Sequence, residues 1–557
     1  MIRERLWRAL DGAFAAAIAA GELTSAPRPE IELTAPPDPK FGDFSTNLAM
    51  VAAGAQKRTP REVAQALLRH LSGVDDVVER TEIAGAGFIN FHLKPSWLDE
   101  VVREVQARGE AYGGGNDGRS EKVLLEFVSA NPVGPLTVAQ GRAAAIGDTL
   151  ARLLEARGYQ VYREYYVNDA ASSTQVRKLA ESLEARYCQA LGQDKPLPED
   201  GYRGEYLVEM ARGIAEREGN RYLAMPLEER LRAFSALAEQ GFVEDHRRVL
   251  EAFGVVFDNW FRESSLYPSG EVDAALGLLK ERGYTYEADG ALWLRSTAFG
   301  DDKDRPLVRA NGKPTYIAAD TAYHRHKFDR GFDRLIDIWG PDHHGYVART
   351  RAAVAALGYS ADKLDIIIHQ LVRLFRGGEM VRMSKRAGDI ITLQEVIEEV
   401  GADAARYFFL MRSTDSPLDF DLELAKKETA ENPVYYVQYA HARISSILRN
   451  AAEQGVSLPD WRRANLSLLR HTDELALMRK LADFPEEVAA AARLYESHRM
   501  TRFGTELAGI FHQFYTNCRV LGEDPELTAA RLTLAGAALI TLRNLLHLLG
   551  VSAPERM

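Results

Sequence analysis

Two stretches of the chain combine residue types that handle phosphate. The segment Ser129-Ala130-Asn131-Pro132-Val133-Gly134-Pro135-Leu136 runs into Thr137-Val138-Ala139-Gln140-Gly141-Arg142. Its Pro and Gly residues fix a tight path, and a helix opening at its end would offer free backbone N–H groups and a positive dipole end to an anion. The second stretch, Phe375 to Gly388, sets glycines around Arg376, Arg382, Lys385 and Arg386. A cationic loop of this kind suits closure over a triphosphate, whose charge grows in a phosphoryl transition state. On pattern alone, the first stretch is equally an ordinary βα loop and the second a solvated basic turn. Asp342, His343 and His344 are of metal-ligating types. Adjacent histidines on an extended segment point apart, however, and no cysteine assists them, so no metal site is expected; a helix cap would account for Asp342.

Such loops work when strands hold them at one end of a sheet. Val123 to Val128 reads as a buried strand, Thr137 to Arg157 as a long helix and Gln160 to Val167 as a second strand, which together make a βαβ unit. Leu335 to Trp339, a helix near Tyr346 to Leu357 and Leu364 to His369 make another. With a long insert between them, the two units predict a split, doubly wound sheet. Ahead of them lie an amphipathic first helix, a Pro-rich stretch at Pro36 to Pro39, a helix over Pro60 to Leu71 and a strand-like Phe88 to Leu93, the mix of a small α+β domain. The breaker-rich run Tyr112 to Gly118 reads as a linker. From about Leu393 strand patterns vanish, and residues such as Val434, Val437, Ile444, Ile447 and Leu448 recur at helical spacing. The expected organisation is therefore an α/β multidomain protein: an α+β domain over 1–112, a doubly wound core over 119–424 with an insertion at about 170–260, and an all-helical domain over 425–557.

A chain of 557 residues with 46% hydrophobic and 27% charged residues has the composition of a multidomain globular protein. Two distant cysteines, Cys188 and Cys518, give no disulfide framework. Asp11 interrupts the apolar run that follows Arg3, Arg5 and Arg8, so an amphipathic helix is expected there rather than a secretory leader. Leu532 to Leu549 is broken by Arg543 and His547, so no membrane span is expected and the location is read as cytoplasmic. The formal charge of −11 argues at first against a polyanionic partner. Between Lys427 and Met557, however, Lys/Arg and Asp/Glu are equal in number, which permits a local basic face.

Met383-Ser384-Lys385-Arg386 resembles the KMSKS signature of class I aminoacyl-tRNA synthetases. Phe41 to Asn47, Gly87 to Phe91, Glu126 to Pro132, Tyr165 to Asp169, Tyr202 to Tyr206, Thr315 to Asp320, Trp339 to Gly345, Asn432 to Arg443 and Ala553 to Met557 resemble arginyl-tRNA synthetases, in family order from end to end. The resemblance implies a class I Rossmann-type nucleotide-binding core that uses ATP with Mg²⁺ to activate L-arginine and then charges tRNA-Arg. It places the 3′ end at the core, the tRNA elbow at the N-terminal domain and the anticodon region at the helical domain. It also implies a monomer, and activation that waits for bound tRNA. Arginine would be held by Glu126, Ser129, Asn131, Tyr316 and Asp320, since a carboxylate can pair with the guanidinium fork. ATP would lie along Gly134, Pro135, Ala139, Gly141, Gly340, Asp342, His343, His344, Met383, Ser384 and Lys385. The tRNA would meet Phe44, Asn47, Tyr435, Gln438, Tyr439, Arg443 and Met557.

One motif departs from the family. Where His-x-Gly-His is usual, the chain has Thr137-Val138-Ala139-Gln140. Thr137 keeps a hydroxyl and Gln140 keeps amide donors, so with Lys385 they are the expected catalytic residues; Ala139 adds a methyl group where close approach was wanted. Losing one transition-state donor costs roughly 100- to 1,000-fold in rate. Two functions stay open on this basis: an arginine--tRNA ligase working with substituted donors, and a relative that binds tRNA without charging it.

Overall fold

The computed structural model describes residues 2–26, 29–36, 38–169, 174–381, 391–456 and 460–557. Two compact units are built from segments that do not follow chain order. One takes Met1–Gly109, Ile447–Asp483 and Ile510–Ile540; the other takes Glu110–Ser446, Phe484–Gly509 and Thr541–Met557.

In the first unit, the helix Ile2–Ala19 buries Leu6, Leu10, Ala13, Phe14 and Ala17, the three-to-four spacing of one helical face. The helix Pro60–His70 is started by Thr59, whose side chain and that of Glu62 cap each other's backbone N–H, with Pro60 at the first position. Phe88–Leu93 is the centre of a three-stranded antiparallel sheet, flanked by Phe44–Thr46 and Val78–Ala84. The helix Ser96–Arg108 ties these elements to the later segments. Arg103 donates to the carbonyls of Trp461, Arg462 and Ala464, and Gln106 donates to that of Thr533.

The second unit carries five parallel strands: β1 (Lys122–Glu126), β2 (Gln160–Val167), β3 (Asn259–Arg262), β4 (Arg334–Trp339) and β5 (Leu364–Ile368). Their order across the sheet is β5-β4-β1-β2-β3. The chain winds outward in both directions from β1, so the order reverses between β1 and β4, and a doubly wound sheet opens a crevice at that point, beyond the strand carboxyl ends. The central strands are apolar because helices cover both faces: Val123, Leu124, Leu125, Leu335 and Ile336 have no exposed surface. The insert contributes the helices Thr174–Ala190, Glu205–Glu218 and Leu227–Ala252, packed around Leu183, Leu207 and Phe234.

Several sequence expectations are corrected. A strand, Leu418–Asp421, lies beyond Leu393 and pairs in parallel with Val372–Arg376; at four residues it is too short for its alternation to stand out. Two glycines of the second phosphate-type stretch shape a hairpin. Gly377 and Gly378, at φ 59° and 82°, form the two-residue turn of a hairpin in which Arg376 faces Glu379. A meander of Thr285–Ala288, Ala291–Leu294 and Arg305–Val308 occupies a region in which no strand was expected. The Asp342-His343-His344 segment is a 3₁₀ turn, Pro341–Tyr346, rather than extended, because Pro341 opens a turn directly after β4. The helix Pro525–Leu549 is long and apolar enough to cross a membrane, but 72% of its most apolar window is buried within the protein.

Candidate active site

The candidate site lies where β1 and β4 end side by side. Past Glu126 the backbone turns sharply: Val128 and Ser129 stand at φ 73° and 41°. A β-branched residue there carries strain of roughly 1–3 kcal/mol, which only surrounding contacts can sustain. Ser129 supplies some of them, donating from its hydroxyl to Glu126 at 2.8 Å and accepting from the Tyr166 N–H at 3.2 Å. Tyr165 supplies more. Its hydroxyl accepts from the Ala130 N–H and donates to His246 Nδ1 at 2.9 Å, while His246 Nε2 donates to the Gly134 carbonyl at 2.8 Å. A neutral histidine, as burial favours here, has one donor and one acceptor for these two bonds. The loop is thus clamped at both ends, and Asn131 is left exposed between them.

Behind this loop lies a chain of buried charges. Lys327 has no exposed side-chain surface and donates to Glu126 at 2.5 Å and Asp337 at 2.8 Å. Asp337 accepts from His324 Nε2 at 2.9 Å, and His324 Nδ1 stands 2.8 Å from the Asp320 carbonyl and 3.3 Å from its carboxylate. Thr350 donates to the other oxygen of Asp320 at 3.0 Å. Burial works against the charge of His324, but Asp320 and Asp337 outweigh it and push the imidazole up to about 10. Burial likewise opposes ionisation of Asp320, and His324 outweighs it, holding the carboxyl below its usual range. Glu126 is pushed upward by burial despite Lys327.

Unlike its partners, the Asp320 side chain keeps a third of its surface exposed. Tyr316, one turn earlier on the same helix, Tyr316–Asp329, is 61% exposed. Glu263 is a further buried carboxyl that sequence reading missed. It hydrogen-bonds Tyr166, and burial together with the neighbouring Asp169 and Asp320 pushes it up to about 7. No motif marks Glu263. His324 and Lys327 could have been found, because Tyr316, Asp320, His324 and Lys327 follow one another at helical spacing along one face.

Thr137 and Gln140 begin the helix Val138–Ala156. Gln140 Oε1 accepts from the Thr137 N–H at 3.0 Å and from its hydroxyl at 2.5 Å. Thr137 is buried, and its backbone bridges Thr392, the cap of the helix Leu393–Val400. Gln140 Nε2 makes no hydrogen bond to a described residue. Gly134, Pro135 and Ala139 are half-buried at the loop and helix start. Gly141 is a packing glycine: a Cβ there would come within 2.6 Å of Leu393 and 3.0 Å of Phe409, so it has no free surface for a ligand. Across the crevice Gly340 is half-buried, and Asp342, His343 and His344 are exposed on their 3₁₀ turn. Among the described residues no three His, Cys, Asp or Glu side chains converge as metal ligands. Met383, Ser384 and Lys385 lie outside the described residues.

The residues expected to meet tRNA fall into two groups. Phe44 is a core group, 4% exposed, against Trp97 and under Arg3, and Asn47 is half-buried at the start of the helix Leu48–Gln56. Gln438 is also buried, donating to Asp403 and to the Ser552 carbonyl, so it anchors the C-terminal segment. By contrast, Tyr435 and Tyr439 stack at 6.1 Å, Arg443 covers the Tyr439 ring, and Met557 is 51% exposed. In the positions described, Phe44, Gln438 and Gly141 support the fold instead of facing a ligand.

Residues 2–93 match the arginyl tRNA synthetase N terminal domain family, 102–444 the class I (R) tRNA synthetase catalytic domain, and 437–557 the DALR anticodon binding domain. The whole chain is 52% identical to the arginine--tRNA ligase of Moorella thermoacetica and 50% identical to that of Heliobacterium modesticaldum, covering 99% of each. Among solved structures it is similar to the Thermus thermophilus arginyl-tRNA synthetase, with a TM-score of 0.78 at 25% identity over 99% of this chain and 100% of that one. In fold alone it is similar to Mycobacterium tuberculosis methionyl-tRNA synthetase in complex with methionyl-adenylate. That TM-score is 0.53 at 13% identity, over 77% of this chain and 91% of the other.

Proposed function

Because the chain belongs to the arginyl-tRNA synthetase family and is an arginine--tRNA ligase, we propose that arginine binds at the β1/β4 crevice with its guanidinium against Asp320, Glu263 and Tyr316. The observation that carries this reading is the partly exposed, anionic Asp320 backed by a buried charge chain. Glu126, Ser129 and Asn131 line the side of the loop where the α-amino and carboxylate groups would rest.

ATP then lies across Gly134, Pro135 and Ala139 on one side and Gly340, Asp342, His343 and His344 on the other, its phosphates toward the N-terminus of Val138–Ala156. A carboxylate oxygen of arginine attacks the α-phosphorus, the α–β phosphoanhydride bond breaks, and pyrophosphate leaves with its electron pair. A ribose hydroxyl at the tRNA 3′ end next attacks the arginyl carbonyl, its proton passes to the adenylate phosphate, and AMP departs. Positioning and charge stabilisation are all the enzyme must supply. Gln140 is assigned its Nε2, which bonds no described residue, as donor and Lys385 its ammonium; Thr137 serves by fixing Gln140. Mg²⁺ would arrive with the nucleotide and offset the charge of its phosphates.

Domains over 1–112, 119–424 and 425–557 complete the reading, with Asn47, Tyr435, Tyr439, Arg443 and Met557 toward tRNA-Arg, in a cytoplasmic monomer. The non-charging alternative is set aside because full-length relatives at about half identity are arginine--tRNA ligases. The test is aminoacylation of tRNA-Arg transcript with each amino acid, alongside a Lys385→Ala variant. Charging with arginine alone, lost in the variant, is expected; charging that survives Lys385→Ala would remove that residue from the mechanism.

A further inference from the structure

Both nitrogens of the buried His324 ring face acceptors. Nδ1 meets the Asp320 carbonyl and carboxylate, and Nε2 meets the Asp337 carboxylate at 2.9 Å. A neutral imidazole has only one N–H, so it would leave one of these contacts as lone pair against lone pair; an imidazolium satisfies both. Asp337, from β4, is fixed in turn by Lys327, which also reaches Glu126 on β1. Asp320 and Lys327 face His324 from its own helix, Asp337 faces it from β4, and Thr350 holds Asp320 from the helix Val347–Leu357.

We propose that His324 is a positioning residue whose imidazolium keeps Asp320 a carboxylate aimed at the substrate guanidinium, so that the pocket selects the charge of the side chain as well as its shape. The proposal rests on the placement of arginine at Asp320. While Glu263 holds its proton, Glu126, Asp337 and Asp320 counted as ions against Lys327 and His324 leave one negative charge for the substrate cation to neutralise. Without the imidazolium, Asp320 would stand near Glu263 and Asp337 with no cation among the described residues paired to it. A carboxyl so placed takes up a proton instead of staying charged. A protonated Asp320 still hydrogen-bonds, but it no longer separates a guanidinium from the neutral ureido group of citrulline.

The test uses the full chain with tRNA-Arg, measuring KM for arginine, KM for ATP, kcat and inhibition by citrulline between pH 6 and 8.5. His324→Gln keeps a polar side chain without the positive charge. Its expected result is an arginine KM raised roughly tenfold at pH 6, as protonation of about nine-tenths of Asp320 would give, and recovering toward pH 8.5. The preference for arginine over citrulline should fall with it, while kcat and the ATP KM stay within about twofold. Asp337→Asn, which retains the shape of the contact, should move the arginine KM in the same direction should His324→Gln fail to fold. A pH-independent loss, or an unchanged arginine-to-citrulline preference in both variants, would overturn the proposal. Asp320→Asn is the control for placement: if it leaves the arginine KM unchanged, the pocket itself is wrong and the relay falls with it.

Discussion

Individual side chains at the crevice show how much environment adds to residue type. Asp320 and Asn131 are legible in the sequence from the segments around them, but Glu263 is not, since a lone Glu in Arg262-Glu263-Ser264 has no pattern and gains meaning only by being buried beside Tyr166. Asp320→Ala is expected to raise the arginine KM by about 10- to 100-fold, the worth of a charged hydrogen bond, and to leave the ATP KM within about twofold; steady-state kinetics with each substrate varied would check this. Glu263 gives a pH prediction. Its folded pKa of about 7 exceeds the unfolded 4.5, so the folded protein holds the extra proton between those values. Stability therefore falls as pH rises through that window, and Glu263→Gln should flatten the fall in thermal melts run from pH 5 to 8. Guanidinium binding favours the carboxylate, so arginine should displace a proton near pH 7, visible as buffer-dependent heats in titration calorimetry. At Val128, replacement by glycine relieves the φ of 73° and should change stability by less than the roughly 2 kcal/mol expected for losing a buried valine elsewhere.

Among the elements, those with long periodic patterns were readable: β1, β2 and the helix Val138–Ala156 stand within a few residues of expectation. Leu418–Asp421 and the meander from Thr285 to Val308 were not, because four-residue strands carry too few alternations to separate from loop. The start of Val138–Ala156 also carries information beyond its pattern. Thr137 and Gln140 read as substitutes for imidazole donors, yet in the fold Thr137 spends its hydroxyl on Gln140. Thr137→Ala should therefore cost about 1 kcal/mol of stability through the lost cap, read by chemical denaturation. It should also slow activation by leaving Gln140 held through the residue 137 backbone N–H alone, read by pyrophosphate exchange. A stability loss with an unchanged exchange rate would confine Thr137 to structure.

For the molecule as a whole, chain order and spatial grouping diverge. Residues 1–109 pack as one unit with segments from beyond residue 446, a grouping that no local pattern could reveal, since composition and periodicity report only neighbours in sequence. A variant lacking residues 1–109 should show faster amide hydrogen exchange in the helical segment Ile510–Ile540, because Gln106 and the helix that carries it are gone. Unchanged exchange there would mean that segment is stable by itself. The same grouping has a consequence for biosynthesis. The carbonyls that Arg103 binds lie 358 to 361 residues downstream, a stretch a ribosome translates at about 5–20 residues per second in roughly 20 to 70 s. For that interval the nascent N-terminal segment is without the partner helices of its own unit. Its face toward those helices, with Arg103 and Gln106 still hydrated, stays uncovered throughout, and chains that terminate early would carry that face permanently uncovered.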